Sequence, residues 1–144
     1  GGDPYVIEYN CRMGDPETEA VIPRIQGDLL ELLLATGEGR LAEVPLTIDP
    51  RTAVTLVLVS GGYPNDYKKG LPVNGLGNDG DSLVFHAGTA TNADGEVVTN
   101  GGRVFAITSF GTDISSARAL SYAAAEKIGY EGKYHRSDIG LDLI

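Results

Sequence analysis

Glycine fills 20 of the 144 positions, and that density constrains the fold more than any other feature of the sequence. Glycine adopts the positive-φ backbone of tight turns at no steric cost and weakens helix interiors. A chain richer in it than average usage is expected to turn often, which favours β-rich or mixed architecture over a helical bundle. The first part of the chain divides accordingly. Residues 5–11 (YVIEYNC) have the β-branched and aromatic character of a strand. Residues 12–18 hold Gly14 and Pro16 and are expected to form a loop. Pro23 is predicted to open a helix in which Ile25, Leu29, Leu32 and Leu33 share one face, with Gly37 and Gly39 ending it. Residues 40–51, with Pro45 and Pro50, read as a connection.

From residue 53 the pattern changes. Strands are predicted over residues 53–59, 83–86 and 103–109, with residues 96–99 pairing back after a turn at 92–95 and a further turn at Gly101 and Gly102. Residues 60–82 are turn-rich. Asp113 is a predicted N-cap for a helix over residues 114–128, whose apolar stripe is Ile114, Ala117, Leu120, Ala124 and Ile128, with Gly129 as its C-terminal cap. The fold class is therefore α+β. A strand–loop–helix unit occupies residues 1–45, and a small, mostly antiparallel β domain with one packed helix occupies residues 46–144. A chain that opens on a core strand with no partner nearby is expected to be cut from something larger.

Charge and composition exclude several function classes. The net charge of −9 repels phosphate backbones, so no nucleic-acid partner is expected. No apolar run is long enough for a membrane span and no signal peptide is visible. Cys11 is the single cysteine, which rules out an internal disulfide and suits a reducing, cytoplasmic setting. It falls on the apolar side of its predicted strand and is expected to be a buried, inert thiol. The string G-x-G-x-x-G at Gly75, Gly77 and Gly80 lies in a turn-rich stretch rather than between a strand and a helix, so it is no dinucleotide fingerprint. Asp79 and Asp81 lack the twelve-residue pattern of a calcium loop.

The segment with chemical promise is Glu8-Tyr9-Asn10-Cys11-Arg12-Met13-Gly14-Asp15-Pro16-Glu17. On a strand, alternate residues share a face, so Glu8, Asn10 and Arg12 would project together. Residues two apart on a strand lie roughly 6–7 Å from each other. Magnesium takes one or two oxygens from a protein and completes its octahedron with phosphates and water. A carboxylate and an amide so placed could hold metal against a nucleotide's phosphates, and a guanidinium beyond them could bridge a phosphate or carboxylate. The same pattern equally suits a solvated strand face with a surface ion pair.

The string IEYNCRMGDPE resembles the E-x-N-x-R segment of ATP-grasp enzymes, and its GDPE continuation is similar to that of the glycinamide ribonucleotide synthetase family. GGYPNDYKKG, VFHAGT, VVTNGGRVFAITSFG, the SSARALSYAAAEKI helix and EGKYHRSDIG follow in that family's order. The resemblance implies that residues 1–45 close an ATP-grasp domain and residues 46–144 form the family's carboxyl-terminal domain. It implies an ATP-dependent ligase of purine biosynthesis that joins glycine to 5-phosphoribosylamine through glycyl phosphate, with Mg2+ or Mn2+. Glu8 and Asn10 would be metal ligands. Arg12 would be the catalytic cation beside the transferring phosphoryl group or the acyl phosphate. Asp15 would either contact the phosphoribosylamine side or order its loop. Asn100, Gly101, Gly102 and Arg103 would form a substrate loop or a plain hairpin turn. His86 would face the glycine site or be a hydrogen-bonded structural residue. The partners are ATP, glycine, 5-phosphoribosylamine and the remainder of the same enzyme. The nucleotide subdomain, with its glycine-rich loop and lysines, is expected to precede residue 1, which would leave this chain inactive alone. The rival readings are a non-catalytic binding module and a biotin-carboxylase-like ATP-grasp enzyme; the GDPE, HAGT and NGGR segments speak against the latter.

Overall fold

Among the described residues, RVFAITSFG is the strand buried on both faces, and the rest of the fold is arranged around it. The structure, a computed structural model, describes residues 2–144. In chain order the elements are α1 (Thr18–Val21), β1 (Ile25–Gln26), α2 (Leu29–Gly37), β2 (Thr47–Ile48), β3 (Thr52–Val59), β4 (Leu83–His86), β5 (Thr89–Thr91), β6 (Val97–Thr99), β7 (Arg103–Gly111) and α3 (Ile114–Lys127), with short 3-10 turns between and after them. β7 lies between β3 and β4 in an antiparallel sheet. Opposite residues in such a sheet share a face. The pairs Leu56↔Ile107 and Leu58↔Phe105 therefore point together, and they form the core with Ala124, Ala125, Ile128 and Tyr130 beneath α3. Thr55 and Thr108 pair on the opposite face, their hydroxyls 2.8 Å apart. β5 and β6 form a separate hairpin.

α3 starts where Asp113 predicts. The Asp113 carboxylate accepts from Ser116 N at 2.7 Å, and Ser116 Oγ accepts from Asp113 N at 3.2 Å, which satisfies two helix-end donors reciprocally. The helix ends at Lys127, not at a glycine cap. Gly129 instead pairs with Asn74, each backbone N–H donating to the other's carbonyl at 2.9 and 3.0 Å.

The first third departs from the sequence reading in four ways. Residues 5–11 form no strand among the described residues, and Tyr5, Ile7 and Tyr9 stand 85%, 96% and 88% exposed. Strand structure needs a hydrogen-bonded neighbour and a covered face, and the described residues give this segment neither. Cys11, expected to be buried, is exposed for the same reason. Pro23 does not open the main helix; it lies in a 3-10 turn, Ile22–Arg24, that continues α1. Ile25 then enters β1, which pairs with β2, and Gly27 turns the chain at φ +131°. α2 begins only after Asp28, whose carboxylate accepts from Leu30 N and Glu31 N at 2.9 and 3.2 Å. A side-chain N-cap outweighs a proline that only tolerates a first turn. Leu33, placed on the buried stripe, is exposed.

The connection before β3 is tied down by Asp49. Its carboxylate accepts from Arg51 Nε and Nη2, and its carbonyl accepts from Arg24. The hydrogen bonds from Arg51 hold the Asp49 carboxyl down to about 2.

Candidate functional site

The acid, amide and guanidinium of the E-x-N-x-R segment all stand in solvent. Asn10 Oδ1 accepts from Arg12 N at 3.2 Å, and Arg12 Nη1 donates to the Met13 carbonyl at 3.1 Å. No ion pair joins Glu8 to another described residue. No group of three His, Cys, Asp or Glu able to hold a metal occurs among the described residues. The donor set itself suits magnesium or manganese, since a carboxylate and an amide supply the hard oxygens such ions take, one or two at a time.

Two other predicted site residues meet directly. Arg103 Nη1 donates to Asp15 Oδ1 at 2.9 Å and to the Asp15 carbonyl at 3.1 Å. Desolvation works against the charge of Arg103, and the field of Asp15 with that of Tyr63 more than offsets it, so its pKa is raised. The loop before Arg103 is held by its neighbours. Ser60 Oγ donates to the Gly101 carbonyl and Ser60 N to the Gly102 carbonyl, both at 2.8 Å. A Cβ at Gly102 would lie 2.0 Å from the Tyr63 ring, and one at Gly101 would lie 2.9 Å from Gly88 Cα. These glycines are required by close approach. Asn100 N donates to the Gly88 carbonyl at 2.8 Å, and the residue is exposed. His86 accepts from or donates to Thr89 Oγ1 at 2.9 Å and stands edge-on to Phe105, with centroids 5.0 Å apart. It thus has the structural contacts that one of its two sequence readings describes.

A cavity of about 370 Å³ opens beside Arg103 on the face of β3 away from α3. Pro16, Val57, Tyr63, Tyr134 and Arg136 line it with Arg103. Arg136 is tied bidentately to Asp138 at 2.7 and 2.8 Å. Tyr134 pairs with Val59 through backbone bonds of 2.8 and 3.1 Å, which bring the tail onto the sheet. His135 has a side chain only 16% exposed, stacked edge-on against Tyr122 and 3.4 Å from Glu126. Sequence reasoning did not single out Tyr134 or Arg136. Their signal is the dense run Lys133-Tyr134-His135-Arg136-Ser137-Asp138, where few residues lack a polar function.

A family profile described as "Phosphoribosylglycinamide synthetase, C domain" matches residues 53–142. The chain is similar to phosphoribosylamine–glycine ligase of Vibrio parahaemolyticus, at 46% identity over 146 residues, covering 99% of this chain and 34% of the relative. The Pseudomonas aeruginosa ligase is 48% identical over 145 residues with the same coverages. A crystal structure of phosphoribosylamine–glycine ligase from Thermotoga maritima superposes with a TM-score of 0.81 at 38% identity, covering 96% of this chain and 34% of that one. The chain thus spans about a third of the length of the relatives it matches. The α+β assignment agrees with that neighbour.

Proposed function

We propose a function from one premise: this chain belongs to the phosphoribosylglycinamide synthetase family, whose C domain it contains at residues 53–142. On that premise the chain is the carboxyl-terminal part of an ATP-dependent ligase. The whole enzyme forms glycinamide ribonucleotide from glycine, 5-phosphoribosylamine and ATP, a step of purine biosynthesis carried out in the cytoplasm. The boundary between its two parts lies in residues 40–52, with residues 1–45 closing the ATP-grasp domain. One observation carries the reading. The similarity to named ligases extends over 99% of the chain, so it includes the E-x-N-x-R segment as well as the C domain.

The glycine carboxylate attacks the γ-phosphorus of ATP and ADP leaves, giving glycyl phosphate. The amine of phosphoribosylamine then attacks the acyl carbon, phosphate leaves with the bonding pair, and the amide nitrogen loses a proton. Mg2+ or Mn2+, when bound, offsets the negative charge of the phosphates. Glu8 and Asn10 would hold it through one oxygen each. Arg12 offers a fixed positive charge and a donor fork to the oxygens of the phosphoryl group. His86 and the Asn100–Gly102 turn lie on the C domain, where they contribute shape to the substrate side. A second reading, a binding module without catalysis, shares the fold and lacks any observation in its favour.

The isolated chain is expected to form no glycinamide ribonucleotide from ATP, glycine and phosphoribosylamine. In the complete ligase, Glu8→Ala or Asn10→Ala should lower kcat on the order of 100-fold while circular dichroism stays unchanged. Turnover by the pure isolated chain would refute the incompleteness. Near-normal rates with magnesium after either substitution would remove the metal assignment.

A further inference from the structure

Asp15 and Arg103 occupy two motifs far apart in sequence, GDPE and NGGR, and the fold joins them. One nitrogen of Arg103 serves both acceptors of Asp15, its carboxylate at 2.9 Å and its carbonyl at 3.1 Å. A second tie lies along the same strand: Thr108 Oγ1 donates to the Glu19 carbonyl at 2.8 Å and is itself 2.8 Å from Thr55 Oγ1. Residues 15–19 are therefore pinned at two points on β7, beginning three residues after Arg12. The pinning end is rigid. Arg103 sits at the irregularity where Val59 pairs with it, after a loop whose carbonyls are held by Ser60 and whose Gly102 admits no side chain against Tyr63. The pinned end is not self-supporting, since α1 is one turn long and Asp15 is 65% exposed.

We propose that Arg103 is a positioning residue: acting through Asp15, it fixes from the C domain the loop that carries the Glu8–Asn10–Arg12 segment, and so sets where the metal- and phosphate-handling groups stand. The role rests on the ligase reading above. It gives Asp15 the loop-ordering role and gives Arg103 a role other than substrate contact. An exposed ion pair adds little to folding stability, so the pair's effect should show in turnover and loop order, with the thermal midpoint nearly unchanged.

The test uses the complete ligase containing this chain, with Arg103→Gln, Asp15→Asn, the double variant and Arg103→Lys. Expected for Arg103→Gln is a loss of about tenfold in kcat and a raised Mg2+ requirement, with the KM of each substrate within about twofold. The double variant should be no worse than Arg103→Gln alone, because both changes cut one connection. Arg103→Lys should recover part of kcat, since an ammonium reaches the carboxylate by a single bond. Multiplying losses in the double variant, a rise confined to the KM of phosphoribosylamine, or wild-type kinetics in Arg103→Gln would each overturn the proposal. Hydrogen exchange on the present chain gives a readout independent of activity. Thr18, Ala20 and Val21 donate their amides within the pinned loop and α1, and these should exchange about fivefold faster in Arg103→Gln. Unchanged exchange overturns the latch. If the complete wild-type protein makes no glycinamide ribonucleotide, the proposed function fails, and the exchange result still decides whether Arg103 orders this loop.

Discussion

Tyr130 should reveal its burial through the pH dependence of stability. The side chain is 8% exposed, its ring centroid lies 6.5 Å from that of Phe105, and its hydroxyl donates to the Val59 carbonyl at 3.0 Å. Burial pushes the phenol pKa up from its ordinary 10.0, because the anion would have to form away from water. The folded state therefore keeps the full contribution of Tyr130 below pH 10. That contribution falls as pH rises further, since the unfolded phenol ionises while the folded one does not. Above that point the loss is about 1.4 kcal/mol per pH unit. Tyr130→Phe removes the ionisable group and one hydrogen bond. The Val59 carbonyl keeps Tyr134 N at 3.1 Å, so no buried acceptor is stranded, and the cost at neutral pH is about 1 kcal/mol. Urea unfolding of both proteins, followed by circular dichroism, gives the difference directly. Wild type should be the more stable at neutral pH, the two should become equal near about pH 10.7, and the variant should be ahead at about pH 11 and beyond. The other tyrosines titrate in both proteins and cancel. A difference that stays constant from neutral to alkaline pH would refute the burial argument.

Leu58→Ala, at a fully buried position under α3, should cost about 2–5 kcal/mol in urea unfolding; a loss under about 1 kcal/mol would mean the core refills. Gly75→Ala meets both a φ of +81° and a Cβ only 1.8 Å from the Lys127 carbonyl, whereas Gly95→Ala meets a φ of +83° in open space. The first should lower the thermal midpoint well below the second, whose cost is about 1–2 kcal/mol, and equal midpoints would refute the close-contact argument. Arg51→Gln removes the guanidinium donors that help hold the Asp49 carboxyl at about 2 and leaves the backbone N–H of residue 51 in place, so its titration by NMR should move part of the way up toward 3.8. The stability Asp49 contributes is present above its unfolded pKa and is lost as pH falls through about 2, and the variant should lose part of that acid limb. An unmoved titration would refute the guanidinium's role and assign the shift to the backbone N–H of residue 51, which donates to Asp49 Oδ1 at 2.9 Å.

What was readable in the sequence is what depends on near neighbours. Asp113 and Ser116 cap α3 within three residues, and the alternation of β3 shows in Val54, Leu56 and Leu58 before any partner is known. Asp28 carried the same kind of signal for α2, and Pro23 drew the start too early. Residues 5–11 show the opposite limit. Their alternation is real, yet strand structure belongs to a pair of segments, and no second segment is among the described residues. The site divides in the same way. Each motif could be seen singly, but the union of Asp15 with Arg103 spans 88 residues, and the cavity collects Pro16, Val57, Tyr63, Arg103 and Tyr134 from four regions of chain. Tertiary pairing alone brings them together.

The buried side of α3 consists of Ala117, Ser121, Ala124 and Ala125, with Ser121 Oγ donating to the Val54 carbonyl at 2.8 Å. Side chains this short leave the helix no slack to slide or tilt on the sheet, so the two move as one body. The tail that follows inherits this fixity, because Gly129 is sewn to Asn74 and Tyr134 to Val59. The cavity consequently has one wall built from the tail and β3 and tied by backbone pairing, and another at Pro16, whose hold on the sheet runs through side chains, Arg103 to Asp15 and Thr108 to Glu19. The two sides of that opening are therefore fastened by different kinds of bond, main chain on one and side chain on the other.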